Sequence, residues 1–437
     1  MSSFIIALII VALVLLLILY GVHIGVSLLA TSVLGVWWMT ADFSVACNLL
    51  STGPFYVTFD YTLSVIPLFV LMGLFANLSG ASTDLYRAGF AWFGRLPGGL
   101  GIVTTVANAV FAAVTGVSIA SAAVFSKIAI PQMMRYGYSI RFSSGCVAGT
   151  SALGMLIPPS LILIVYGFLA NESIGHLFIA AILPGIVLTI NYSLMIILLA
   201  YFKPSILGNP LIPEKMSLMD RLTALRKASS IIFLVVLVLG GMYAGLFTPT
   251  EAGAVGCVGS VAVMIVKRLF NFKDLFRTLM DAGYTTASVF LLVIGAMMFG
   301  RMLAMSGLIS DLSSFVAQAD VMPILIVASI CVILVLLGAF LDMVSILVIS
   351  MPILLPVINQ LGFDPIWFGI VVTLSIETGL VTPPFGMSVF VVKGSLGEKA
   401  SLEDIYIGSL PFLLVLVVTV VLLLLFPSLA TWLPMHM

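Results

Sequence analysis

Apolar residues run along this chain in stretches long enough to cross a bilayer, separated by short polar breaks. Hydropathy predicts spans at about 4–21, 24–40, 62–79, 177–200, 229–247, 251–266, 284–304 and 405–427, most of them near the length a transmembrane helix requires. Four other apolar regions are interrupted by Gly, Pro or polar residues. These are 98–114 with 116–131, 142–157 with 158–170, 322–341 with 343–356, and 365–382 with 383–394. The most hydrophilic stretch, Lys203 to Lys227, is a natural midpoint, and no segment is long enough for a soluble domain. The first span has no Lys or Arg before it, unlike a secretory signal, so it is expected to be retained as a helix. The pattern predicts an all-α polytopic membrane protein.

Sliding the sequence against itself exposes a repeat. At an offset of 225, Pro131 meets Pro356, Gly137 meets Gly362, Gly154 meets Gly379, and Pro158-Pro159 meets Pro383-Pro384. At 227, Gly73 meets Gly300, Ser79-Gly80 meets Ser306-Gly307, and Asp84-Leu85 meets Asp311-Leu312. Apolar matches are cheap in such a chain, but Gly and Pro matches in order are not. The expected organisation is a first repeat over 1–202, a cytoplasmic amphipathic linker over 203–228, and a second repeat over 229–437.

Composition sharpens the class. Of 437 residues, 8% are charged, against roughly 25% in soluble domains. With 17 Lys+Arg balancing 17 Asp+Glu, there is no basic surface for nucleic acid. Cys47, Cys146, Cys257 and Cys331 form no CxxC pair, and His23, His176 and His436 have no zinc spacing. The positions of the charges say more than their sum. Residues 1–86 contain no Lys or Arg, and all later basic residues except Arg301 fall on one side if each half has five crossings and one re-entrant hairpin. The positive-inside rule makes that side cytoplasmic and both termini external. Five is odd, so the second half is inverted, which is the plan of a secondary transporter.

The hairpins, 98–131 and 322–356, carry Thr115-Gly116-Val117-Ser118 and Asp342-Met343-Val344-Ser345 at their centres. A backbone break within the bilayer is tolerated where protein or a water-filled cavity satisfies its polar groups. A kinked helix packed by small residues would account for one such break; two in corresponding positions point to a binding site. The broken helices, 142–170 and 365–394, carry Gly154-Met155-Leu156-Ile157-Pro158-Pro159-Ser160 and Gly379-Leu380-Val381-Thr382-Pro383-Pro384-Phe385-Gly386. Paired prolines remove two amide donors and oppose helix before them. The freed carbonyls can coordinate a cation and the following helix start can face an anion; a bend that only shapes the bundle is the alternative.

Thr248-Pro249-Thr250-Glu251 reads as a capping box, with Thr at the N-cap and Pro at the first helical position. Asp342 and Glu377 are intramembrane carboxylates, a class that usually faces a cavity or a partner. Asp342, beside a hairpin break, is the stronger candidate for a cation role; Glu377 could equally pair with a polar neighbour.

At this point the residues resemble a known family. Ile66-Pro67-Leu68-Phe69-Val70-Leu71-Met72-Gly73, Leu156-Ile157-Pro158-Pro159-Ser160, the Thr-Pro-Thr-Glu box, Leu380-Val381-Thr382-Pro383-Pro384, Leu410-Pro411-Phe412 and Phe426-Pro427 look like signatures of the large membrane subunit of tripartite ATP-independent periplasmic (TRAP) transporters. The likeness runs from about residue 4 to 434. It departs at His23, where relatives usually have Pro, and in a first hairpin less rich in Ser.

The resemblance implies an elevator-type transporter of the bacterial cytoplasmic membrane, not an enzyme, taking up a small organic anion with Na+ as coupling ion and no cofactor. C4-dicarboxylates, sialic and other sugar acids, and sulfonates are the expected substrates. It implies two partners: a small four-helix membrane subunit and a periplasmic solute-binding protein. Carried onto this chain, one Na+ site would involve Thr115, Ser118, Gly154 and Pro158, and a second Asp342, Met343, Gly379 and Thr382. The substrate anion would lie between the hairpin tips, near Thr115, Gly116, Ser118, Asp342, Ser345, Thr382, Pro383 and Gly386. The residues alone suit a hard monovalent cation without specifying Na+ over a proton. A single-component anion–sodium symporter of related architecture, an integral-membrane enzyme and a passive channel are the competing readings.

Overall fold

A computed structural model describes residues 3–318 and 320–436, which are almost entirely helical; the expected domain limits at residues 1 and 437 lie outside the described residues. The first half opens with α1 (Ser3–Leu19), α2 (Ile24–Thr40), α3 (Phe43–Phe59), α4 (Val65–Leu78) and α5 (Ala81–Phe93). Its first hairpin is α6 (Gly99–Thr115) and α7 (Ser118–Arg135). The first broken helix follows as α8 (Ile140–Thr150), α9 (Leu153–Leu156) and α10 (Leu161–Ala170), and α11 (Ile174–Phe202) closes the half. After the short α12 (Pro204–Leu207) come α13 (Leu218–Val235), α14 (Gly241–Tyr243), α15 (Pro249–Val266), α16 (Phe272–Ser306) and α17 (Leu308–Gln318). The second hairpin is α18 (Pro323–Gly338) and α19 (Met343–Gln360), the second broken helix is α20 (Pro365–Val381) and α21 (Met387–Leu396), and α22 (Leu402–Leu425) and α23 (Ser428–Met435) complete the chain.

Among the described residues seven helices are long and apolar enough to cross a membrane, eight if the bent first broken helix counts as one span. The outward faces of these and of the shorter helices α2 and α3 carry large apolar side chains such as Trp37, Phe55, Phe233 and Leu414, more than a third exposed, a surface suited to lipid. The first hairpin, the first broken helix, α19 and α20 lie largely inside, whereas α18 exposes Leu325, Val332, Ile333 and Leu336. In α20 every residue from Trp367 to Val381 is buried, and α6 is buried along most of its length.

The structure moves several expected boundaries. Helices α3, α5 and α17 were not among the predicted spans, because Asn48, Ser51, Thr52 and Pro54 dilute the hydropathy of α3 while α5 and α17 are amphipathic. Helix α16 starts well before residue 284, since Lys273, Asp274, Arg277 and Asp281 mask its first turns. The last part of the expected linker is already helix: Ser217 accepts the Asp220 amide, the Asp220 side chain accepts the Ser217 amide, and α13 then continues towards Tyr243. The second break falls at Ala339–Asp342, so Ser345 belongs to the first turn of α19.

Local geometry recurs at the sequence offsets. Gly80 and Gly307 both have positive φ, +72° and +79°, and the preceding Ser79 and Ser306 hydroxyls donate to the Ala76 and Leu303 carbonyls at 2.7 Å. A side chain would be strained at these two turns, which is why glycine stands at both. Ser139 and Asp364, 225 residues apart, cap α8 and α20. Lys267 reaches Asp84 at 2.7 Å and the Ser79 carbonyl at 3.2 Å, while Arg141 pairs with Asp404 at 2.8 Å. Glu251 accepts the Thr248 amide at 2.8 Å, the capping box expected there.

Candidate functional site

Helix α6 ends at Thr115, whose hydroxyl donates to the Phe111 carbonyl at 3.1 Å. Gly116 then turns into the left-handed region at φ +60°, and its carbonyl accepts the Leu161 amide at 3.2 Å. This bond ties the hairpin tip to the helix after Pro158-Pro159. Gly154 packs so closely on the tip that an added Cβ would lie 2.8 Å from the Ser118 Cα. Gly73 of α4 presses on Thr115 from the other side, where a Cβ would meet the Thr115 Cα at 2.9 Å. Thr115, Gly116, Ser118, Gly154 and Pro158, the residues that the family resemblance groups, are therefore brought together, and all five are buried. The carbonyls of Gly154 and Met155 lose their usual helical donors, because the residues four further on are Pro158 and Pro159.

Behind the tip lies a polar network. The Asn108 side-chain amide donates to Thr150 Oγ1 at 2.7 Å, and Ser121 donates to Asn108 Oδ1 at 2.7 Å. All three residues are buried, so the network fixes both arms of the hairpin against α8.

The second site repeats the scheme with different residues. The Ala339 carbonyl accepts the Phe385 amide at 3.2 Å, and the backbones of Gly338 and Gly379 touch, a Cβ on Gly338 falling 2.8 Å from the Gly379 Cα. Asp342 caps α19, accepting the Ser345 amide at 3.1 Å and a short bond from the Ser345 hydroxyl. Its carboxylate thus has a structural task beside the break, with Met343 buried next to it. The Thr382 hydroxyl donates to the Thr378 carbonyl at 2.7 Å, and the Thr382 amide to Gly379 at 2.9 Å. Gly386 is buried where a Cβ would meet the Leu380 carbonyl oxygen at 2.8 Å.

The two links differ in their surroundings. Pro158, Pro159 and Ser160 are buried, whereas Pro383, Pro384 and Phe385 are exposed. Phe385 stacks on Phe390 and packs at a tilt against Phe340, at centroid distances of 6.3 and 5.8 Å.

One intramembrane carboxylate pairs with a polar side chain of the opposite half. Glu377 is fully buried in α20 and accepts a 2.6 Å hydrogen bond from Ser118 of the first hairpin. An intramembrane carboxylate was the available signal; its partner, 259 positions away, was not visible in the sequence.

Residues 11–429 match the family model described as the tripartite ATP-independent periplasmic transporter, DctM component. The chain belongs to this family. This TRAP large subunit is 33% identical to the C4-dicarboxylate TRAP transporter large permease protein DctM of Pseudomonas aeruginosa, over 90% of this chain and 89% of that one. The sialic acid TRAP transporter large permease protein SiaM of Vibrio cholerae is 30% identical over 86% of each chain. The isethionate TRAP transporter permease protein DctMQ of Oleidesulfovibrio alaskensis is 31% identical over 78% of this chain and 53% of its own length. Among solved structures, the YdaH transporter of Alcanivorax borkumensis shares the fold, with a TM-score of 0.66 at 15% identity, covering 89% of this chain and 90% of that one. The TRAP large subunit described here is a multi-pass membrane protein, and its relatives are named as transporter permeases.

Proposed function

We propose that this TRAP subunit performs Na+-coupled uptake of a small organic anion, carrying it by transport and not transforming it. The observation that carries the reading is the pairing of each hairpin tip with a proline-broken link, Gly116 to Leu161 and Ala339 to Phe385. At the first link the Gly154 and Met155 carbonyls lose their helical donors, and at the second the Leu380 carbonyl does, while that of Gly379 accepts the Thr382 amide. Such carbonyls, with hydroxyls and isolated carboxylates, suit a hard monovalent cation held inside a bundle. The names of the relatives, which specify C4-dicarboxylate, sialic acid and isethionate, support an acidic solute.

In this reading one Na+ lies at Thr115, Ser118, Gly154 and Pro158 and another at Asp342, Met343, Gly379 and Thr382. The anion lies between the tips, beside Gly116, Ser345, Pro383 and Gly386. The duplicated halves form inverted repeats, and the hairpins and broken helices move as an elevator against the remaining helices. The family points to a small four-helix membrane subunit and a periplasmic solute-binding protein as partners. The clustering of Lys and Arg supports the bacterial cytoplasmic membrane with both termini in the periplasm. Reconstitution into proteoliposomes with both partners tests the reading. Uptake should follow an inward Na+ gradient and require the binding protein; uptake indifferent to Na+ removes the coupling, and uptake without the binding protein favours a single-component symporter.

A further inference from the structure

We infer that Glu377 supplies the counter-charge of the first cation site, reaching it from the opposite half of the chain. The inference rests on the Na+ reading above and adds to it a residue outside both expected ion shells. Glu377 has no exposed surface, and its Oε1 accepts the Ser118 hydroxyl at 2.6 Å while its Oε2 has no partner among the described residues. A carboxylate accepts from about four lone-pair positions, so one hydroxyl leaves it largely uncompensated. The ion pairs formed within 4 Å among the described residues are Arg141–Asp404 and Lys267–Asp84, and Glu377 is in neither. The buried phenol Tyr192 gives its proton to the Gly149 carbonyl at 2.9 Å. A buried charge without a fixed partner is costly, and a cation that binds and leaves provides an intermittent one.

The surroundings provide the rest of a cation site. Ser118 gives its hydroxyl proton to Glu377, which leaves its oxygen lone pairs available to an ion. Gly154 lies against Ser118, and the carbonyls of Gly154 and Met155 lack their helical donors. Helix α6 ends here, so its last carbonyls add partial negative charge.

The repeat register shows why the carboxylate must cross between halves. At the offset of 225, the first-half counterpart of Asp342 is Val117 and that of Glu377 is Ala152. Neither bears a charge. Both carboxylates come from the second half: Asp342 stays with its own hairpin, and Glu377 extends to the other. Glu377 is thus a positioning and charge-compensating residue, acting through Ser118 and through its field.

The test uses the subunit purified with its small membrane partner, melted across a Na+ titration at constant ionic strength in KCl. Glu377→Gln preserves shape and the acceptor for Ser118 while removing the charge. It is expected to raise the half-saturating Na+ concentration at least tenfold, with melting in pure KCl unchanged or higher. Glu377→Asp, which keeps the charge, should lie closer to wild type, and it provides the readout if the amide does not fold. A Gln variant with wild-type Na+ half-saturation overturns the inference, as does one that merely melts lower in KCl. A wild-type protein stabilised no better by Na+ than by K+ would instead overturn the Na+ reading itself.

Discussion

Gly154→Ala tests whether the first hairpin tip is held as rigidly as the backbone contacts require. The new methyl would sit 2.8 Å from the Ser118 Cα, 3.0 Å from its nitrogen and 3.1 Å from the Val117 carbonyl carbon. Optimal carbon contacts lie at roughly 3.5–4.0 Å, so the tip must retreat by about 0.7–1.2 Å. These are backbone atoms, and no rotamer change relieves them. Overpacking of this kind costs about 1–3 kcal/mol. The same retreat stretches the Ser118–Glu377 bond from 2.6 Å past the upper limit of about 3.0 Å for an O–H···O bond. Thermal melting in detergent should show the stability loss, and uptake in proteoliposomes should need at least about tenfold more Na+ for half-maximal rate, a change worth about 1.4 kcal/mol. Gly394→Ala is the control, since nothing lies within 4 Å of an added Cβ. There alanine should stabilise helix α21 by about 0.5–1 kcal/mol. If Gly154→Ala instead melts and transports like wild type, α9 yields to the tip and the close-packing argument is wrong.

The other predictions concern different parts of the molecule. Thr382→Ala and Pro383→Ala should abolish uptake while the complex still assembles and elutes as wild type on size exclusion; wild-type rates would show that the second link is only a bend. Thr248→Ala removes the cap of α15 and should cost about 0.5–2 kcal/mol in melting experiments, without moving the Na+ dependence of uptake. Glu172, in the loop before α11, has its carboxyl raised above the usual range by burial first and then by the Asp364 charge, with His176 opposing. Its ionised form is therefore disfavoured in the folded protein, and the penalty is present at neutral pH and relieved as pH falls through the raised value. Glu172→Gln should raise the melting temperature at neutral pH, and the gain should vanish in acid.

Much of this architecture was legible because lipid imposes long apolar runs and gives Gly and Pro a clear meaning. The span 24–40 is α2 residue for residue, and the hairpin and link breaks fall where Thr115–Ser118 and the proline pairs place them. Illegible segments were those where polarity and helicity coexist. Helix α3 includes Pro54 and several hydroxyls, and the start of α16 is charged; hydropathy cannot separate either from a loop. Asp342 has a capping task that hydropathy could not show, for a related reason. An acid two residues after an aromatic break looks free in sequence, while the fold spends it on capping α19. The donor to Glu377 belongs to the first hairpin, and no local sequence pattern encodes that contact.

The Ser118–Glu377 bond also bears on when the protein becomes complete. Ribosomes deliver the first hairpin and all of the first half to the membrane before residue 377 has been synthesised. Until α20 arrives, the Ser118 hydroxyl has no Glu377 to receive its proton, and the contact that joins the two halves at the first hairpin tip is missing. Membrane insertion and site assembly are thus separate events, with the second waiting on the last quarter of the message. A fragment ending before residue 377 lacks the acceptor for the Ser118 hydroxyl, and two halves expressed apart must find each other before that bond can form.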